Sequence, residues 1–247
     1  MLSVEMIEQL RIQSEQLAVS ASVNMDAPVE HCPGWTVRDL VVHIGEVQRF
    51  WVRIVSERLT ARPTDGPRGL PEGAEPIEWF RAQTTALALV FAACADDVLM
   101  WTWWEPEQHA GWVKRRQLNE VAVHAWDAAN AVGMARPIPT EVAIEGLQEF
   151  VDVFAGDLRE GVTPPPVALV ATDCDWSAVL FRGGSPGDVH DVPDVPDVPD
   201  APDAPVGETV LPSLELRGTA SDLLLSVWSR LRVDPAIAAA LNAIDRD

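Results

Sequence analysis

Glu120 and His124 stand four residues apart in the run Asn119-Glu120-Val121-Ala122-Val123-His124, whose apolar positions read as helix. At that spacing two side chains share a helix face, so a carboxylate and an imidazole can aim at one point. His43 lies far upstream, on a stripe with Leu40, Val47 and Trp51. A histidine on a core-facing stripe either finds a hydrogen-bond partner or binds a metal. Together the three residues offer two imidazoles and one carboxylate. That is the donor count of a catalytic zinc site, with three protein ligands and one position left open. By spacing alone, Glu120 and His124 also read as an ordinary surface pair, a common arrangement. Asp127, three residues beyond His124, is either an acceptor that orients the ring or a solvated acid.

Other chemistry is weaker. Gly183-Gly184-Ser185-Pro186-Gly187 has the spacing of a nucleophile elbow. That motif needs the N–H after the serine as an oxyanion donor, and Pro186 has none. No phosphate-binding glycine loop opens a helix after a strand. Cys32, Cys94 and Cys174 are scattered and odd in number, without a C-x-x-C pair. They fit a reducing cytoplasm better than a disulfide framework. Trp101, Trp103, Trp104 and Trp112 crowd the approach to the Glu120 segment, either as packing or as the wall of a pocket.

The elements that must position these residues are mostly helical. Periodicity predicts helices over 3–22, 36–60, 77–95, 111–132 and 140–158, the second capped by Thr36 with Asp39 and the fifth by Thr140. Four long helices with short or medium links suggest an antiparallel bundle. After Gly161, Pro164-Pro165-Pro166 reads as a linker. Strands are expected at 167–172, 177–181 and 214–216, and helices at 220–231 and 235–244. The fold class is therefore mostly α: a bundle over 1–160, then a small α+β domain over 161–247. Asp191–Pro205 is five tandem Asp-X-Pro tripeptides inside an acidic stretch at 185–208. Prolines and mutually repelling aspartates predict an extended, disordered loop there.

Composition bounds the partners. The 247 residues are 47% apolar, enough for a real core, and 18 basic residues face 38 acidic ones for a net charge of −20. Such a surface repels phosphate backbones and anionic lipid, so neither nucleic acid nor membrane is an expected partner. The longest apolar run, Ala86–Ala95, reaches about half the ~20 residues of a membrane span. The N-terminus lacks the basic-then-apolar layout of a signal peptide, which together with the cysteines predicts a cytoplasmic protein.

The run Cys32-Pro33-Gly34-Trp35-Thr36-Val37-Arg38-Asp39-Leu40-Val41-Val42-His43-Ile44 closely resembles the signature of the mycothiol-dependent maleylpyruvate isomerase family. The segment Asn119–Asp127 is similar to that family's second metal motif. Asp222–Arg230 resembles its Leu-rich C-terminal helix, with Ser229 where glycine is usual. The resemblance implies a DinB-like four-helix bundle with a small C-terminal domain. It implies a divalent metal, usually zinc, on His43, Glu120 and His124, and mycothiol as the thiol cofactor. It also implies a catalytic role for Arg230, as a fork for a substrate carboxylate or simply as a helix C-terminal cation. The expected partners are a small electrophilic substrate and a low-molecular-weight thiol, in a monomer or homodimer, with isomerase or S-transferase chemistry. The alternatives are a DinB-like hydrolase using metal-bound water and a non-catalytic small-ligand binding protein. A structural metal site normally closes with four protein ligands, and only three are evident here.

Overall fold

The computed structural model describes residues 1–181 and 212–245. The Asp-X-Pro repeat and Gly183–Gly187 lie outside the described residues. The chain divides into two compact units, Met1–Gly146 and Leu147–Asp247.

The first unit is a four-helix bundle of α1 (Ser3–Val23), α2 (Val37–Glu57), α3 (Pro76–Ala92) and α4 (Ala110–Ala131). α1 packs against α3 and α4, and α2 packs against the same two helices. The core between them is apolar, with Leu17, Leu40, Ile54, Phe80, Leu87 and Leu118 fully buried. One polar layer crosses it: the Thr84 hydroxyl donates to Gln48 Oε1 at 2.8 Å, and Gln48 Nε2 donates to Ser14 Oγ at 3.3 Å. Gly45 lets α3 approach α2, because a Cβ there would lie 2.3 Å from the Trp79 ring. The single lysine, Lys114, is buried at 3% exposure and donates to Cys94 O at 2.6 Å and Asp96 Oδ1 at 2.7 Å. The bond from Lys114 to Asp96, with one from Ser3, holds the Asp96 carboxyl below its ordinary range.

Local chemistry explains how α2 begins. Trp35 N–H donates to Cys32 O at 2.9 Å across Pro33 and Gly34, and Gly34 has φ +85. Proline at the second position and a left-handed glycine at the third make a type II turn. Thr36 then caps the helix. Its N–H and hydroxyl donate to Asp39 Oδ2 at 2.8 and 2.7 Å, and Asp39 N–H donates back to Thr36 Oγ1 at 3.4 Å. This is the expected reciprocal capping box.

α5 (Thr140–Glu149) runs on into a π-helical segment, Phe150–Phe154. Thr140 is the first residue of α5, and Ala143 N–H closes on Pro139 O at 2.9 Å, so the helix starts one position earlier than a Thr140 cap requires. The division between units falls within α5, whereas composition suggests 160/161. Phe150 and Phe154 explain the difference: both meet Trp228 edge-on, at 5.3 and 5.0 Å between centroids, inside the second unit.

That second unit carries a three-stranded sheet in the order β2 (Ser177–Leu180), β1 (Val167–Ala171), β3 (Leu214–Gly218). β1 pairs antiparallel with β2, placing Leu169 opposite Ala178, and parallel with β3, placing it opposite Leu216. α6 (Ala220–Val227) and α7 (Pro235–Leu241) complete it. α6 closes with Arg230 N–H on Leu225 O at 2.7 Å and Ser229 N–H on Ser226 O at 2.9 Å, a Schellman motif. Ser229 sits at φ +62, which is why glycine suits this position.

Two stability outcomes follow from these caps. A left-handed non-glycine costs about 1–2 kcal/mol and glycine gives back about 0.5–1 through chain entropy, so Ser229→Gly should stabilise by roughly 0.5–1 kcal/mol in urea titration. Bonds from the Thr36 backbone and side chain hold the Asp39 carboxyl below its ordinary value of 3.8. A depressed carboxyl contributes stability above its unfolded pKa and loses it as pH falls through the folded value. Asp39→Asn should therefore cost about 1 kcal/mol at pH 7, with the gap closing below about pH 4.

Candidate metal centre

The two halves of the donor set arrive on facing helices. His43 sits two turns into α2, so the type II turn and capping box that start the helix also set where its ring points. α4 begins at a different kind of cap: His109 Nδ1 accepts from Trp112 N–H at 3.3 Å. His109 is thus a capping residue, and its other ring nitrogen bonds Glu107. From this start, Arg116, Glu120, His124 and Asp127 follow at helical spacing on α4.

One donor atom from each of His43, Glu120 and His124 lies within 4.8 Å of the others. His43 Nε2 is 3.4 Å from Glu120 Oε1, and the two imidazoles meet edge-to-face at 5.6 Å. The structure therefore brings together the three residues singled out from the sequence. Asp127, fully buried, lies with Oδ2 3.2 Å from His124 Nδ1. It is an orienting acceptor, not a solvated acid. That contact leaves Nε2 as the nitrogen His124 can turn to a cation.

Electrostatics keep the carboxylate ready. Burial alone would raise the Glu120 pKa, but Arg116, the bond from His43, and the charges of His124 and His43 together lower it to about 2. Arg116 Nη2 lies 3.3 Å from Glu120 Oε2, with both side chains only 15% exposed. One carboxylate oxygen thus faces the imidazoles while the other is held by a guanidinium. One carboxylate and two imidazoles are donors that suit zinc, and the carboxylate is already anionic.

Two residues of the site were not singled out from the sequence. Arg116 is signalled only by its i, i+4 relation to Glu120. Cys32 is more unexpected, because its sulfur joins a second close set with His124 and Asp127, again within 4.8 Å. Scattered in sequence, it is delivered by the turn that ends in Trp35. Trp35 itself stands edge-on to His43 at 5.1 Å and walls the site. Trp51, Trp101, Trp103, Trp104 and Trp112 pack on one another, as 5.9 Å between the Trp51 and Trp101 rings and 4.9 Å between Trp103 and Trp112 show. Arg230 belongs to the other unit, where its Nη1 donates to Trp228 O at 2.7 Å across the end of α6.

Residues 13–129 match one protein family, described as the mycothiol maleylpyruvate isomerase N-terminal domain. No curated protein and no solved structure matches the chain. Among the described residues no helix is long and apolar enough to cross a membrane.

The donor geometry leads to a direct measurement. Zinc or cobalt titrated into chelator-treated protein should bind at one ion per chain. His43→Ala, Glu120→Ala and His124→Ala should each lose it with unchanged far-UV dichroism. Asp127→Asn should weaken affinity about 10–100-fold, the usual effect of removing a ligand's orienting partner. Full metal retention in any of the three alanine variants would rule out this donor set.

Proposed function

We propose that the chain, whose residues 13–129 match the mycothiol maleylpyruvate isomerase N-terminal domain, is a metal- and mycothiol-dependent enzyme acting on a small electrophilic substrate, as an isomerase or S-transferase. The observation that carries this reading is the convergence of His43, Glu120 and His124 within 4.8 Å. Three protein donors suit a catalytic rather than a structural ion, since a tetrahedral site then keeps one position for an incoming group. A divalent ion bound there, zinc by the donor set, supplies Lewis-acid chemistry that favours the deprotonated form of a thiol or water.

The chain's own residues supply the rest. His43, Glu120 and His124 hold the ion. Asp127 Oδ2 accepts from His124 Nδ1, fixing the tautomer that presents Nε2. Arg116 occupies the outer oxygen of Glu120, which restrains the carboxylate to the use of one oxygen inward. Trp35 stands edge-on to His43 and bounds the site beside that ligand. Arg230 is the proposed anchor for a substrate carboxylate, its guanidinium steadied by the bond to Trp228 O.

Cobalt-loaded protein titrated with mycothiol tests the thiol. A new sulfur-to-cobalt charge-transfer band is expected. Because the Cys32 sulfur lies close to His124, the band must persist in Cys32→Ser to be the cofactor's. Its absence there, with hydrolytic turnover, would favour activated water. In steady-state assays with a carboxylate-bearing electrophile, Arg230→Ala should keep its metal while kcat/KM falls about tenfold or more, the scale of a charged hydrogen bond. Unaltered kinetics would reduce Arg230 to a helix-capping cation.

A further inference from the structure

Cys32, His124 and Asp127 make a donor set that the proposed chemistry does not use as a set. One ligand atom of each, a sulfur, a ring nitrogen and a carboxylate oxygen, lies within 4.8 Å of the other two. The backbone that carries the sulfur is fixed on both sides. Cys32 N–H donates to Val29 O at 3.2 Å, and Cys32 O accepts from Trp35 N–H at 2.9 Å. His124 and Asp127 stand on adjacent turns of α4, with Asp127 Oδ2 3.2 Å from His124 Nδ1. Rigid elements thus deliver all three donors, as a ligand site requires. Asp127 is buried, but Cys32 and His124 are only half-buried, which leaves an ion a way in. Among the described residues, neither Cys94 nor Cys174 joins a set of this kind.

The donor types separate this set from the first centre. His43, Glu120 and His124 offer nitrogen and oxygen alone, whereas here one donor is sulfur. A thiolate is a soft ligand and selects thiophilic ions. The thiol gives up its proton to solvent when an ion binds, so Cys32 and Asp127 together balance a divalent charge. At the first centre the single carboxylate is already shared with Arg116. His124 is common to both sets, and a neutral imidazole has one lone pair. An ion held by Cys32, Asp127 and the Nδ1 that faces Asp127 takes that pair. The ring proton then resides on Nε2, and His124 is lost to the first centre.

We propose that Cys32, His124 and Asp127 are a second metal site, for a thiophilic divalent cation, and that filling it withdraws His124 from the first centre. The withdrawal, though not the site itself, rests on the ligand role proposed for His124 above. The full chain carrying Cys94→Ser and Cys174→Ser, treated with chelator, can be titrated with cadmium. A thiolate-to-cadmium charge-transfer band should appear and saturate at one ion per chain. Cys32→Ser should lose the band. Asp127→Asn should weaken cadmium about tenfold or more, the scale of a charged contact. His124→Ala should weaken it too, and keeps the test decisive should Asp127→Asn fold poorly. His43→Ala touches the first centre only and should leave the band in place. Cadmium added to cobalt-loaded protein should bleach the cobalt absorption as the band grows, and the same amount should not do so in Cys32→Ser. The proposal is overturned by the absence of a thiolate band. It is equally overturned by a band that vanishes in His43→Ala, which would make the sulfur a fourth ligand of the first centre. A band indifferent to both Asp127→Asn and His124→Ala would reduce Cys32 to an isolated thiol. A band that grows beside an unchanged cobalt spectrum would overturn the withdrawal. Protein that never takes up cobalt would instead sink the first centre, and the cadmium band in His43→Ala would still decide the second.

Discussion

Glu120 is the point on which the helical unit's chemistry turns. A carboxylate buried between helices is expensive, and water cannot carry its charge. Three groups do so instead: Arg116 on one oxygen, His43 on the other, and the nearby His124. The outcome is an anion held at the meeting of α2 and α4, aimed at two imidazoles. Remove Arg116 and burial raises the proton affinity; remove the histidines and the anion faces no partner on its inner side. A buried ion cluster of this kind contributes little to stability and much to specificity of arrangement, which is what a ligand site requires.

Rigid local structure is needed to hold such a cluster. The type II turn at Cys32–Trp35 and the Thr36–Asp39 capping box fix the entry of α2, and with it the height of His43 along the helix. Gly45 and Trp79 bring α3 against the same helix on its other side. On α4, Asp127 locks the ring of His124. The turn, the capping box and the Asp127 lock are short-range features, yet they act on one long-range distance, that between a residue of α2 and a residue of α4. The same turn carries Cys32 and Trp35 to the site, so one four-residue motif serves the backbone, the wall and a second donor set.

α4 also shows how one helix divides its labour. Its acidic and imidazole residues face α2, while a strip of alanines faces the other way. In the second unit the logic is plainer: a leucine-rich α6 packs on a small mixed sheet, and its Schellman close puts Ser229 where glycine would be less strained.

The amino-acid order alone carried most of the architecture. Helical periodicity, the Thr36–Asp39 cap, the strand at 167–171 and the Glu120/His124 pair are short-range signals, legible because neighbours in sequence are neighbours in space at 1.5 or 3.3 Å per residue. Element ends were read less well, as with Thr140 and with the fifth helix, expected to reach 158 but ending in the π-helical segment Phe150–Phe154. Which helices touch was not legible at all: α1 has α3 and α4 as its main neighbours, which no linker length dictates. For that reason the roles of Arg116, Cys32 and the buried Asp127 belong to the folded chain. Arg116 and Asp127 are close in sequence to the groups they serve, but their burial, like the approach of Cys32 to His124, is set by packing of the whole core.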